Sequence, residues 1–256
     1  EASKLIMSAE ELFISQLHDL ELVLWPYLGI AGVLVLIAIF IAISKIPAPP
    51  SEAQAQAKRE GSTFGRLWQN KRYRYGVIAQ VFNVAAQTCT WTFTIIYAQD
   101  VVGVAPEEAG LWLQASLIIF LVSRFIMTAL LRIIRPTLLL LVMAVFGIVC
   151  CLTSIFVLNI VGLVAIVSIS AALSLMFPTI YGVALQGLGE DTKFGAAGLV
   201  MAILGGALLP MVHATVMDVA SPAMGYIVPA LCLVVVAWYA LFDLKTPQPA
   251  TVAEGE

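Results

Sequence analysis

The stretch that decides the fold begins as Ser168-Ile-Ser-Ala-Ala-Leu-Ser-Leu-Met-Phe-Pro-Thr-Ile-Tyr181. It turns through Gly187-Leu-Gly-Glu-Asp-Thr-Lys-Phe-Gly195 and continues as Gly195-Ala-Ala-Gly-Leu-Val-Met-Ala-Ile-Leu-Gly-Gly206. An apolar run holding a proline, a short charged turn and a second apolar run rich in small residues read as two membrane helices in a hairpin. Pro178 removes one backbone hydrogen bond and is expected to interrupt the first helix. Gly198, Ala202 and Gly206 recur every fourth residue on the second, a ridge that lets another backbone come close. Packing is the first reading of that ridge; sliding during a conformational change is compatible with it.

Composition extends this reading to the whole chain. Of its 256 residues, 61% are hydrophobic and only 11% charged, whereas soluble domains average about 45–50% apolar and about 25% charged. The solvent is therefore a lipid bilayer. Cys89, Cys150, Cys151 and Cys232 all fall inside apolar runs and read as buried small hydrophobes, with neither metal nor disulfide spacing. The first residue is Glu1, with no signal peptide pattern, and a missing beginning is expected. There is no Gly-rich phosphate loop, no His/Glu metal spacing and no Gly-x-Ser-x-Gly elbow, so neither an enzyme nor a cofactor is expected.

Outward from the hairpin, seven spans are predicted. Residues 1–21 form an extracytoplasmic or interfacial segment, and 22–43 the first transmembrane helix. Residues 44–75 are a linker: Pro47, Pro49 and Pro50 end the helix, and a basic, aromatic second half runs from Phe64 to Tyr75. Such a stretch abutting a span marks a cytoplasmic loop rather than a nucleic-acid surface. Six spans follow within residues 76–243: about Gly76–Tyr97, Leu111–Leu131, Leu138–Leu158, Gly162–Leu185, Gly195–Met217 and Met224–Phe242. Residues 244–256 form a cytoplasmic tail. With the linker inside, eleven of the thirteen Lys and Arg fall on the cytoplasmic side, Lys4 lies outside and Arg124 lies within a span. That asymmetry orients the chain.

Polar residues inside the spans are the functional candidates. Gln80, Asn83, Gln87, Trp91 and Thr94 recur at intervals of three or four and share a helix face. Amides left unpaired in hydrocarbon are costly, so this face meets protein or water. Two readings stand: hydrogen bonding between helices, or a surface for a hydroxyl-rich ligand, with amides for the hydroxyls and an indole for the C–H face. Ser174, Phe177 and Tyr181 lie near Pro178 at helical spacing. Arg124 either snorkels to the interface or pairs with an acid or a helix carboxyl end at a cytoplasmic gate. His213 is a structural residue or a proton relay. No Asp or Glu stands at mid-membrane, where ion coupling usually needs one.

Phe177-Pro-Thr-Ile-Tyr181, Leu188-Gly-Glu-Asp-Thr-Lys-Phe-Gly195 and Gly205-Gly206 together resemble the tenth and eleventh helices of the fucose:proton symporter family, sugar transporters of the major facilitator superfamily. Ala79-Gln80, Ala86-Gln87-Thr88 and Trp91 resemble its seventh helix, and Ser123-Arg124-Phe125 the Gly-Arg-Phe of its eighth. The similarity runs from about Tyr75 to Asp218. It implies an all-α membrane fold: the C-terminal six-helix bundle of the superfamily plus the preceding helix, the sixth of the parent, with the N-terminal bundle missing. It implies proton symport of a monosaccharide by alternating access, in the bacterial inner membrane, with the coupling carboxylates in the N-terminal bundle. Gln87 and Trp91 would face sugar, together with Asn83, Gln80, Phe177 and Tyr181; Arg124, Asp191 and Lys193 would serve gating. Phe177 stands where the family's fucose carrier has a sugar-contacting tyrosine, and Asn83 where an aromatic is usual. The substrate is then a hexose such as glucose, galactose or fucose, or another polyol. The competing class is a stand-alone seven-helix receptor or photosensor. Its topology is permitted, but the last span offers no lysine for a retinal Schiff base, because Lys245 lies beyond it.

Overall fold

The computed structural model describes residues 9–43 and 63–246. Among these, all regular structure is helical. The chain divides into two compact units, 1–59 and 60–256. The first contains α1 (Ala9–Ile43), one helix that runs through the boundary expected between residues 21 and 22. Its stretch Leu24–Phe40 is apolar on every side. Residues 1–8, 44–62 and 247–256, which include the first half of the expected linker and nearly all of the tail, lie outside the described residues.

The second unit begins with a short helix, α2 (Thr63–Gln69). Asn70 then starts α3 (Lys71–Asp100): its Oδ1 accepts from the backbone N–H of Arg72 (3.0 Å) and of Tyr73 (3.3 Å), satisfying donors that a helix start leaves unpaired. Proline at the first position, where no N–H is needed, opens α4 (Pro106–Leu130) and α5 (Pro136–Phe156). Asn159 caps α6 (Ile160–Ala184) through Val161 N–H at 2.8 Å. Gly187 and Gly189 take φ of 76° and 56°, left-handed values open to glycine, and turn the chain into α7 (Thr192–Met201) and α8 (Gly205–Val219). The last helix is α9 (Ile227–Lys245).

Five segments are long and apolar enough to cross a membrane: α4, α5, α6, the α7–α8 run Thr192–Val219, and Met224–Lys245. The expected second span, α3, is not among them, although its 30 residues extend about 45 Å. Its amides and hydroxyls lower its apolar content. The neighbours explain how it is tolerated: α3 packs against α4, α6, α8 and α9, so protein shields its polar residues. Helices α3, α5, α6 and α9 enclose the core, and α4 and α7–α8 flank it. The flanking spans are the least buried, at 11% and 22% of their apolar windows. The four cysteines are buried and free, as expected.

The break in the hairpin lies elsewhere than expected. Helix α6 runs unbroken through Pro178, whose ring is exposed. The following span is the divided one, by a 3₁₀ turn at Ala202–Leu204. A proline ring turned away from the packed face costs a helix only one bond. At the 3₁₀ turn the backbone itself is in contact: a Cβ on Gly205 would fall on the Val81 carbonyl oxygen, and one on Gly206 would press on Val84 and Thr88. The same ridge continues to Gly198, where a Cβ would strike the Tyr73 hydroxyl. The small residues thus serve close packing on α3.

One end of the bundle holds two ion pairs. Arg66 of α2 reaches Asp191 in the α6–α7 turn with Nε donating to Oδ2 (3.0 Å) and Nη2 to Oδ1 (2.8 Å). Deeper in, Arg72 Nε lies 2.7 Å from Asp243 Oδ1, and Thr137 Oγ1 donates to Asp243 Oδ2 at 2.7 Å. Arg72, Thr137 and Asp243 are all buried. This network joins the starts of α3 and α5 to the end of α9.

Candidate functional site

Two contacts set the register of α3 against α6. Gly76 faces Ala184 so closely that a Cβ would overlap its side chain. About four turns further along, Trp91 Nε1–H donates to Ser170 Oγ at 3.1 Å. The helices run antiparallel between these points, so Gln87 lies level with Ser174, Asn83 with Phe177 and Gln80 with Tyr181. The six residues expected to bind a ligand therefore lie at matched heights on two adjacent helices.

Their exposure separates them into two groups. Gln87, Trp91, Phe177 and Tyr181 are half-buried, with surface left open. The rings of Phe177 and Tyr181 stack one turn apart, with centroids 6.4 Å apart and planes 13° from parallel. Gln80 and Asn83 are 0% exposed, and their amide atoms meet no hydrogen-bond partner among the described residues. Thr94, also on the stripe, is buried and donates to the carbonyl of Thr90 at 2.6 Å. The shared face is thus closed at Gln80, Asn83 and Thr94 and partly open at Gln87 and Trp91.

Trp91 is held on two sides. Ser170 accepts its N–H, and Ser170 Oγ is in turn 2.5 Å from Ser116 Oγ of α4. Phe120, one turn beyond Ser116, meets the indole edge-to-face at 5.1 Å. With its N–H engaged, the indole offers a ligand its apolar face and no donor. Gln87 supplies both donor and acceptor beside it. A flat apolar surface next to an amide suits a sugar ring.

Among the described residues, the three residues assigned to gating form no ion pair with one another. Asp191 is bound to Arg66, an anchor for α2. Lys193 is exposed and makes no ion pair among the described residues. Arg124 is exposed on α4, beside Phe125, Thr128 and Arg132, and likewise has no acidic partner among the described residues. His213 is 0% exposed, stacked on Phe93 (4.2 Å, 11°) and met edge-on by Tyr226 (5.3 Å). Neither ring nitrogen has a partner among the described residues, an aromatic box with no connection of the kind a relay uses.

Sequence reasoning missed Arg72, Asp243, Ser116, Ser170 and Phe120. A signal existed for the first two. Arg72 sits at the positive start of α3 and Asp243 at the negative end of α9, each at the helix end that repels it. Two misplaced charges are best explained by each other. Ser116 and Ser170 carried no such signal, because single serines in apolar helices usually bond their own backbone.

No protein-family model matches the chain. Among curated proteins it is 38% identical over 240 residues to an L-fucose-proton symporter of Haemophilus influenzae, covering 91% of this chain and 55% of that protein. The L-fucose-proton symporter of Escherichia coli is 34% identical, over 94% of this chain and 56% of its own length. A glucose/galactose transporter of Brucella abortus is 28% identical, over 89% and 55%. The chain thus spans about half the length of the curated relatives it matches. Among solved structures it resembles FucP, a major facilitator superfamily transporter, in the outward conformation: TM-score 0.81, 33% identity, 94% of this chain and 59% of that one.

Proposed function

We propose that this chain is the C-terminal half of a proton-coupled monosaccharide transporter of the fucose:proton symporter family of the major facilitator superfamily, the reading its relatives support. Its spans place it in a membrane as a multi-pass protein, and the bacterial inner membrane is its proposed location. The receptor or photosensor reading is set aside, because the relatives are transporters. The observation that carries the proposal is the α3–α6 register, which sets Gln87 and Trp91 level with the stretch from Ser170 to Ser174 and above the Phe177–Tyr181 stack.

In this proposal sugar stacks on the open face of Trp91, Gln87 takes up hydroxyl groups, and Phe177 and Tyr181 border the site. Gln80 and Asn83 lie behind it, as polar groups that a shift of α3 against α6 would expose. Asp191 keeps α2 on the α6–α7 turn at the cytoplasmic end while the halves rock, and Lys193 and Arg124 remain as cytoplasmic cations for the other half to meet. The proton-binding carboxylates belong to that N-terminal half. Its substrate is a hexose of the fucose, glucose or galactose kind; Phe177 has no hydroxyl to add to the site.

The test uses the full-length transporter containing this chain, in vesicles with an inward proton gradient and labelled L-fucose, D-glucose or D-galactose. Accumulation abolished by a protonophore is expected; accumulation indifferent to it overturns proton coupling. Trp91→Ala should weaken sugar binding about tenfold or more, as loss of a stacking platform does.

A further inference from the structure

We infer that Ser170, with Ser116 behind it, is a positioning residue for sugar recognition: the two hydroxyls and Phe120 fix the indole of Trp91 in one orientation. The inference rests on the sugar-site reading of Trp91. Both serines are 0% exposed. Their Oγ atoms are 2.5 Å apart, across α4 and α6, and Ser170 also accepts the Trp91 N–H at 3.1 Å. Ser170 Oγ is thus an acceptor for α3 and a partner for α4 at once, so three helices share one hydrogen-bonded chain.

The arrangement differs from ordinary polar contact between membrane helices. The buried residues of α4 are only Ala109, Ser116 and Ser123, a seam with one small residue every second turn. Ser116 is its midpoint, and the hydroxyl there points not at its own backbone but at the group that grips the indole. Ser154, Ser168 and Ser174 by contrast each bond a carbonyl three or four residues back on the same helix. Phe120 closes the other side edge-to-face. A flat side chain tied at its N–H and packed against Phe120 has little freedom about its side-chain torsions. The face left open is pre-set for a ring, so ordering it costs a ligand little.

The experiment compares four full-length variants: Ser170→Ala, Ser170→Thr, Trp91→Phe and the Ser170→Ala/Trp91→Phe double. Dissociation constants for the transported sugar are measured by calorimetry, with folded state checked by size-exclusion elution. Ser170→Ala should weaken binding about fivefold, the factor of one ordinary hydrogen bond, and Ser170→Thr should restore affinity to within about twofold, because it keeps Oγ. In the Trp91→Phe background, where no N–H exists, Ser170→Ala should have no further effect. An equal loss in both backgrounds would show that the serines only glue helices and would overturn the inference. So would unchanged affinity in Ser170→Ala. Unchanged affinity in Trp91→Phe alone would show that the N–H anchor is not needed and would overturn the inference, whereas unchanged affinity in Trp91→Ala would remove Trp91 from the site and sink both readings. Should Ser170→Ala not fold, Ser116→Ala removes the second hydroxyl while leaving the Trp91 bond, with a smaller loss expected under the same comparison.

Discussion

His213 is the residue whose surroundings most restrict what it can do. Its ring lies flat on Phe93, and the backbone at Gly225 leaves no room beside Nε2. A proton relay needs partners on both nitrogens, and neither has one among the described residues. A buried polar group in that state costs about 1–3 kcal/mol. Replacement by a ring of similar shape without nitrogens should be neutral or favourable. His213→Phe is expected to leave sugar uptake unchanged and to hold or raise the thermal unfolding midpoint in detergent. A folded His213→Phe protein that has lost uptake would restore the relay reading. Trp91 is the opposite case: its polar atom is satisfied, so its chemistry is that of its open face.

At the scale of elements, the Arg72–Asp243 pair does what composition could not reveal. It joins α3 to α9, and through Thr137 it also holds the start of α5. Removing one partner strands a buried charge, at a cost of about 3–5 kcal/mol, whereas replacing both by apolar residues is often nearly neutral. Asp243→Ala should therefore lower stability sharply, and Arg72→Met with Asp243→Leu should recover most of it. Additive losses in the double variant would show that the two charges do not depend on each other. The glycine ridge acts by the same logic of contact. Gly205 and Gly206 bring α8 onto the α3 backbone, and the 3₁₀ turn before them lies where that contact begins.

At the scale of the molecule, the charged network gathers at one end of a bundle of antiparallel spans. The proposed orientation rests on the excess of Lys and Arg at that end. The proposal that this end is cytoplasmic is checked by single cysteines in the full-length protein. Glu107→Cys should react with an impermeant maleimide in intact cells, and Lys193→Cys only after permeabilisation. The four native cysteines of this chain are buried and should add little background. The reverse labelling pattern would invert the topology. The exposed apolar faces of α4 and α7–α8 are suited to lipid.

By itself the sequence determined the solvent, most of the spans and the ridge that packs closely, since these depend on composition and on spacing along a helix. Periodicity also showed that Gln80, Asn83, Gln87 and Trp91 share a face. Only the tertiary structure decided what that face meets: closed at Gln80 and Asn83, partly open at Gln87 and Trp91. It decided too that the Trp91 N–H is spent on Ser170, 79 residues away, and that α6 passes Pro178 unbroken. The physical reason is that lipid and helix interior are alike apolar. Hydrophobicity marks which residues enter a membrane, but it carries little contrast between a side turned to lipid and a side turned to another helix. Which neighbour each polar atom finds is settled by packing.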